Sequence, residues 1–286
     1  MHSRERTSPH APPKGGDLIK RHRLSTRAWH WINFATFMIM LMSGLMIFNA
    51  HPRLYWGEYG ANFDPAWLEI GSQDNRGYLK LGAAQMDTTG VLGIWEGDSG
   101  RRVARAFPDW ATIPSNYSLA VARRWHLTFA WVFVGAIAYY LIWGLFNGHL
   151  RHNLIPRLRE LRPANIWQDV KNHALLRLPK GAEAARYHVL QKLSYASVVV
   201  VMIPLMVLTG LTMSPTFNAI APWLLDLFGG RQSARSIHFI VAFALIAFVI
   251  VHLAMVLLSG PFNQLRAMIT GRFRLPKAAQ DKEHSS

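Results

Sequence analysis

Four long apolar runs, at 28–48, 119–146, 188–213 and 232–259, alternate with polar segments along the chain. Each matches the roughly 20 residues a helix needs to cross about 30 Å of hydrocarbon. The pattern predicts an all-α membrane protein, a four-helix transmembrane bundle over 28–259. Ser25 or Thr26 can cap the first span, and Pro204 predicts a kink in the third. The segment 51–117 carries Trp56, Trp67, Trp95 and Trp110 with no strong helical or strand period. It is too long and too aromatic for a simple loop, so a small ordered insertion on the membrane surface is expected. The arm 1–27 is hydrophilic and bears several Pro and Gly, as expected of a disordered segment, and 260–286 reads as a basic, polar tail. The first run is too long for the h-region of a signal peptide.

Charge sets the orientation. The formal net charge is +15, with seven Lys/Arg in 1–27, eight in the loop 148–186 and five in 260–286. These cations flank apolar runs instead of forming one stripe, which argues for the positive-inside rule and against nucleic acid. Both termini are then cytoplasmic and the insertion 51–117 is extracytoplasmic. The chain has no cysteine, so it ligates no iron–sulfur cluster and attaches no c-type haem. Neither G-x-G-x-x-G nor a P-loop occurs, so no nucleotide site is signalled.

The candidate chemistry lies in intramembrane histidines. His238 and His252 are fourteen residues apart, a spacing that returns within about 40° of the same helical face and separates them by roughly 21 Å. With the topology above, His126 and His238 fall near the outer face and His30 and His252 near the inner. Two imidazoles from neighbouring helices suit the two faces of a haem iron, which gives the pairs His126/His238 and His30/His252 and two non-covalent haem b groups. Gly44, fourteen residues after His30, leaves room for a porphyrin edge or serves ordinary small-residue helix packing. Arg27, Arg123 and Arg235 each stand three residues before a ligand histidine. With Arg124 they are candidates for haem propionates, although Arg27 also reads as a snorkelling interface anchor. His188, Gln191, Lys192 and Tyr195 bring donors to the inner start of the third span, where a quinone carbonyl could be held; a plain interfacial helix end is the alternative.

R-x-x-H-W-x-N at 27–33, R-W-H-L-T-F at 124–129, R-Y-H-x-x-Q-K-x-x-Y at 186–195, T-G-L at 209–211 and the pair His238 and His252 resemble one family. It is the bacterial di-haem cytochromes b of the cytochrome b561 / nickel-hydrogenase superfamily, among them the formate dehydrogenase gamma and thiosulfate reductase cytochrome b subunits. The resemblance implies bis-histidine b haems and exchange with quinone near the inner haem, at His188, Gln191 and His252. Where this chain has His188 the formate subunits carry asparagine, and they lack the outer insertion. The likeness therefore leans toward cytochromes that serve exported molybdopterin oxidoreductases.

The expected function is electron transfer between quinone or quinol and an extracytoplasmic redox subunit, from the bacterial inner membrane, as a subunit and not the catalytic one. Two rivals stay open on sequence: a stand-alone quinone-linked cytochrome b, and a membrane transporter or scaffold using the histidines for protons or metal.

Overall fold

The computed structural model describes residues 16–146, 162–175 and 189–274. In chain order the elements are β1 (Leu18–Lys20), α1 (Leu24–Phe48), β2 (Arg53–Leu54), β3 (Leu68–Gln73), β4 (Arg76–Leu81), β5 (Ala84–Asp87), β6 (Trp95–Glu96), β7 (Arg102–Val103), α2 (Leu119–Phe146), α3 (Pro163–Ala174), α4 (Val189–Ala196), α5 (Ile203–Thr212), α6 (Pro215–Ile220), α7 (Trp223–Leu227), α8 (Arg231–Leu258), α9 (Pro261–Thr270) and β8 (Arg272–Arg274). Among the described residues, four stretches are long and apolar enough to cross a membrane: Leu24–Phe48, Leu119–Trp143, the continuous run Val189–Thr212 and Arg231–Leu258.

The chain divides into two units. In the larger, Trp29–Ile155 with Ser194–Ile250, the spans meet through aromatic and polar contacts. Trp29 of α1 stacks on Tyr140 of α2 at 4.2 Å and donates its indole N–H to Ala136 O at 3.1 Å. Tyr195 meets Phe248 of α8 edge-on at 6.3 Å. Between α4 and α5 the residues Ser197–Met202 form a π-helix, in which Ile203 N–H reaches Val198 O. Pro204, which lacks an N–H, follows at once; wider turns of this kind absorb a missing hydrogen bond.

The insertion is a β structure. Strands β2–β3–β4–β5 make one antiparallel sheet and β6–β7 a separate pair. Asp74 and Asn75 both take positive φ, 49° and 62°, in the two-residue turn between β3 and β4, where Gln73 pairs with Arg76. Asp and Asn tolerate the left-handed conformation that such hairpins require. The core joins Phe48 at the end of α1 to Leu54, Leu68, Ile70, Ala106 and Phe107. Asn49 fixes the junction, donating to Phe107 O at 3.1 Å and accepting Phe107 N–H at 2.7 Å. Trp67 Nε1 donates to Ser236 Oγ at 2.9 Å, and that hydroxyl donates to Tyr55 O at 2.6 Å. A sheet of this kind shows no plain sequence period because β2 and β5–β7 have only two to four residues each.

The smaller unit is Met1–Ala28, Pro156–Leu193 and Val251–Ser286. Here the structure corrects one expectation. From residue 16 onward the amino-terminal arm is ordered: β1 pairs antiparallel with β8, Leu18 opposite Arg274 and Lys20 opposite Arg272. The tail likewise holds a helix, α9, with Gly260 and Gly271 in left-handed conformation at its two ends. The loop 148–186 contains α3, and Asp169 Oδ2 accepts Leu190 N–H at 2.9 Å.

Candidate functional site

Helices α2 and α8 bring His126 and His238 together, ring centroids 6.3 Å apart and planes at 61°. His126 Nδ1 lies 3.0 Å from Met40 O and 3.2 Å from Ser43 Oγ, both on α1. A carbonyl only accepts, so Nδ1 carries the proton. His238 Nδ1 lies 3.0 Å from Thr209 Oγ1, a hydroxyl that already donates to Leu205 O at 2.5 Å. Its remaining lone pair accepts from the imidazole. Both rings therefore keep the Nε2 lone pair for an electrophile, the tautomer that metal-bound histidines take when a neighbour holds the other nitrogen.

The two sides are built alike. Ser43 precedes Gly44 and Thr209 precedes Gly210, and both hydroxyl residues are wholly buried. A Cβ on Gly44 would stand 3.3 Å from His126 Cε1; one on Gly210 would stand 3.5 Å from His238 Cε1. Gly44 lets the His126 ring close tightly onto α1, a Cβ at Gly210 would meet the His238 ring at ordinary contact distance, and the adjacent hydroxyl orients each ring. The observed neighbour of Gly44 is thus the imidazole itself, where the sequence suggests a porphyrin edge or plain helix packing.

These donors fit an iron porphyrin. A metal–imidazole bond is about 2 Å and the ring centre lies about 1 Å beyond the nitrogen, so two imidazoles on opposite sides of one ion have centroids roughly 6 Å apart. The observed separation is 6.3 Å.

The other candidates are distributed as follows. His30 stands on α1, edge-on to Trp31 at 5.3 Å, and His252 is partly buried on α8. Arg123 and Arg124 are exposed at the start of α2. Arg235 donates Nη1 to Arg53 O at 3.0 Å and Nη2 to His51 O at 2.5 Å, spending two donors on the base of the insertion. Arg27 Nη1 donates to Ile269 O. Gln191, Lys192 and Tyr195 are partly buried on α4, and His188 lies outside the described residues. Ser43, Thr209 and Gly210 are the site residues whose roles the sequence reading missed. Their signal is a hydroxyl–glycine dipeptide inside an apolar span, where an unpartnered polar group is costly.

At the foot of the insertion His51 stacks on Tyr55 at 5.7 Å. Burial, with the charges of Arg235 and Arg53, pushes its pKa below the ordinary histidine value. On β3, Glu69 accepts Arg53 Nη2 at 2.7 Å and Tyr78 O–H at 2.7 Å. Burial alone would raise its carboxyl; these hydrogen bonds, with the Arg53 charge, hold it below the usual range.

Residues 21–271 match the family described as prokaryotic cytochrome b561. Over 153 residues the chain is 33% identical to the putative protein-methionine-sulfoxide reductase subunit YedZ1 of Azospira oryzae, covering 54% of this chain and 72% of that protein.

Proposed function

The chain belongs to the prokaryotic cytochrome b561 family, and from that premise we propose that this multi-pass haem b electron carrier binds two haems and passes electrons between the quinone pool and an extracytoplasmic redox subunit. The observation that carries the reading is the His126/His238 couple, its Nε2 atoms freed by Met40 O and Thr209 Oγ1. Bound haem b supplies a carrier of single electrons. Were haem b held by His126 and His238, both of its protein ligands would be imidazoles, and the group would supply relay of electrons rather than bond chemistry. Ser43 and Thr209 hold the two rings in one tautomer, and Gly44 lets the His126 ring seat.

The assignment of a second haem to His30 and His252 rests on the sequence alone, from their depth along the spans. His188, Gln191, Lys192 and Tyr195 are the sequence's candidate donors to quinone carbonyls, and Arg123 and Arg124 its candidates for propionates, whereas Arg27 is engaged at Ile269 O beside Gly271. The protein sits in a bacterial inner membrane with both termini cytoplasmic, as its cation distribution favours. The insertion helps dock the partner: Trp110 is 78% exposed beside Glu96, Asp98 and Asp109, and exposed aromatics are enriched at protein interfaces. The relative in Azospira oryzae is named as a subunit of a reductase of oxidised protein methionine, which supports a subunit role. A molybdopterin enzyme is the partner class this favours.

A dithionite-reduced minus oxidised spectrum with a pyridine haemochrome assay tests the reading. Two b haems per chain are expected, with His126→Ala losing the outer and His252→Ala the inner. Retention of both haems in either purified variant overturns the pairing. Full quinone-linked activity with no co-purifying soluble subunit returns the stand-alone reading.

A further inference from the structure

In the smaller unit, the turn that joins α9 to β8 gathers two arginines from the other end of the chain. Gly271 O accepts Arg21 N–H at 2.8 Å and His22 N–H at 3.3 Å. Gly271 has φ 79°, and a Cβ there would stand 2.7 Å from His22 O and 3.5 Å from the Arg27 guanidinium carbon. Only glycine lets the two segments close this tightly. Arg27 then donates Nη1 to Ile269 O, and the Arg21 guanidinium lies over the Phe273 ring at 4.4 Å.

These contacts leave both cations incompletely satisfied. Among the described residues, the buried nitrogens Arg21 Nη1 and Arg27 Nε have no hydrogen-bond acceptor. A ring face attracts a cation but takes no in-plane N–H, and a buried charged donor without an acceptor is costly. The segments that meet at this corner are also unbalanced in charge: from Lys20 to Arg27 the arm has four cations, and Arg266, Arg272 and Arg274 follow the fourth span, against Asp17 alone in 16–28 and 251–274. An anionic acceptor would complete both guanidinium groups.

The neighbouring helix specifies what kind. On α9, Phe262, Leu265 and Ile269 are exposed, Phe262 to 85%, while Ala267 is buried. Their spacing of three and four residues makes one apolar stripe. Helix α9 follows the membrane-crossing α8 after one turn at Gly260, the place where an amphipathic helix lies at headgroup depth.

We infer that the Arg21/Arg27 corner and the exposed stripe of α9 together bind an anionic phospholipid, its phosphate on the two guanidinium groups and its acyl chains over Phe262, Leu265 and Ile269. A free phosphate would satisfy the arginines and leave the stripe in water; an acyl chain alone would do the reverse.

The test uses the full chain, purified in mild detergent and placed in nanodiscs of phosphatidylcholine with or without phosphatidylglycerol. Lipid retained after detergent washing is read by mass spectrometry. Wild type is expected to keep phosphatidylglycerol over phosphatidylcholine. Arg21→Gln and Arg27→Gln should each lower that retention about fivefold, the scale of one cation near an anionic surface. Should Arg21→Gln fail to fold, the exposed-face variant Phe262→Ser/Leu265→Ser/Ile269→Ser carries the test, and the same loss is expected. Equal retention of the two lipids, or variants that hold phosphatidylglycerol as wild type does, overturns the inference. So does thermal stabilisation in detergent by inorganic phosphate alone that matches the lipid's. A shift in haem potential in Arg27→Gln at unchanged lipid retention would assign that guanidinium to a propionate and also overturn it.

Discussion

The membrane spans and the insertion differ in how many polar side chains they bury beside apolar ones. Among the largest fully buried side chains, Met46, Ser43, Thr209, Thr212 and Ser236 stand on spans, and Leu54 stands in the sheet. Along α8, Ile250, Val251 and Leu257 face outward, as suits a helix whose solvent is hydrocarbon. The insertion obeys the rule for water, with Leu54, Leu68, Ile70 and Phe107 inside. Helix packing in lipid gains little from hiding leucine and relies on small residues and hydrogen bonds. The same substitution should therefore have opposite consequences in the two regions.

The largest effect is expected in the sheet. Leu54→Ala removes a wholly buried side chain and should cost about 2–5 kcal/mol, read as early thermal unfolding of the insertion by tryptophan fluorescence, with the haem spectrum intact. Next is a charge on the lipid side. Ile250→Arg should cost about 3 kcal/mol of membrane stability, seen as lost expression in the membrane fraction. The matched change Phe63→Arg, at a fully exposed insertion site, should fall within about 0.5 kcal/mol of wild type.

A smaller change sharpens the contrast. Thr209→Val keeps shape but removes the acceptor for His238 Nδ1; on the proposed ligation by His238, haem retention should fall roughly 10- to 100-fold, the scale for losing a metal ligand's orienting partner. The smallest effect is on pH dependence. His51 and Glu69 both have lowered folded pKa values, so each favours folding above its unfolded value and loses that contribution as pH falls toward its folded one. The melting temperature of the insertion should decline below pH 6.5 and again below pH 4.5, the two ordinary values. His51→Gln should flatten the first step and Glu69→Gln the second.

What could be read from the sequence follows the same division. The four spans are legible because lipid demands unbroken apolar runs, and α2 begins and ends where its run does. His126 and His238 are legible because imidazoles are costly in hydrocarbon. The sheet is not, since its strands are short and Gly71 and Gly77 interrupt their alternation. Those glycines answer to tertiary neighbours: a Cβ at Gly77 would stand 2.2 Å from Leu92 O. Pairing of β1 with β8 also escapes, because it joins three-residue segments more than 250 positions apart.

The π-helix Ser197–Met202 takes up about one residue more than an α-helix over the same rotation. Deleting a single valine from 198–201 would let the segment relax to ordinary α-helix with Thr209 and Gly210 still turned toward His238, whereas a deletion from 205–208, within α5, would swing them away by about 100°. The valine run is thus a place where this span can lose a residue of chain length and keep its angular phase.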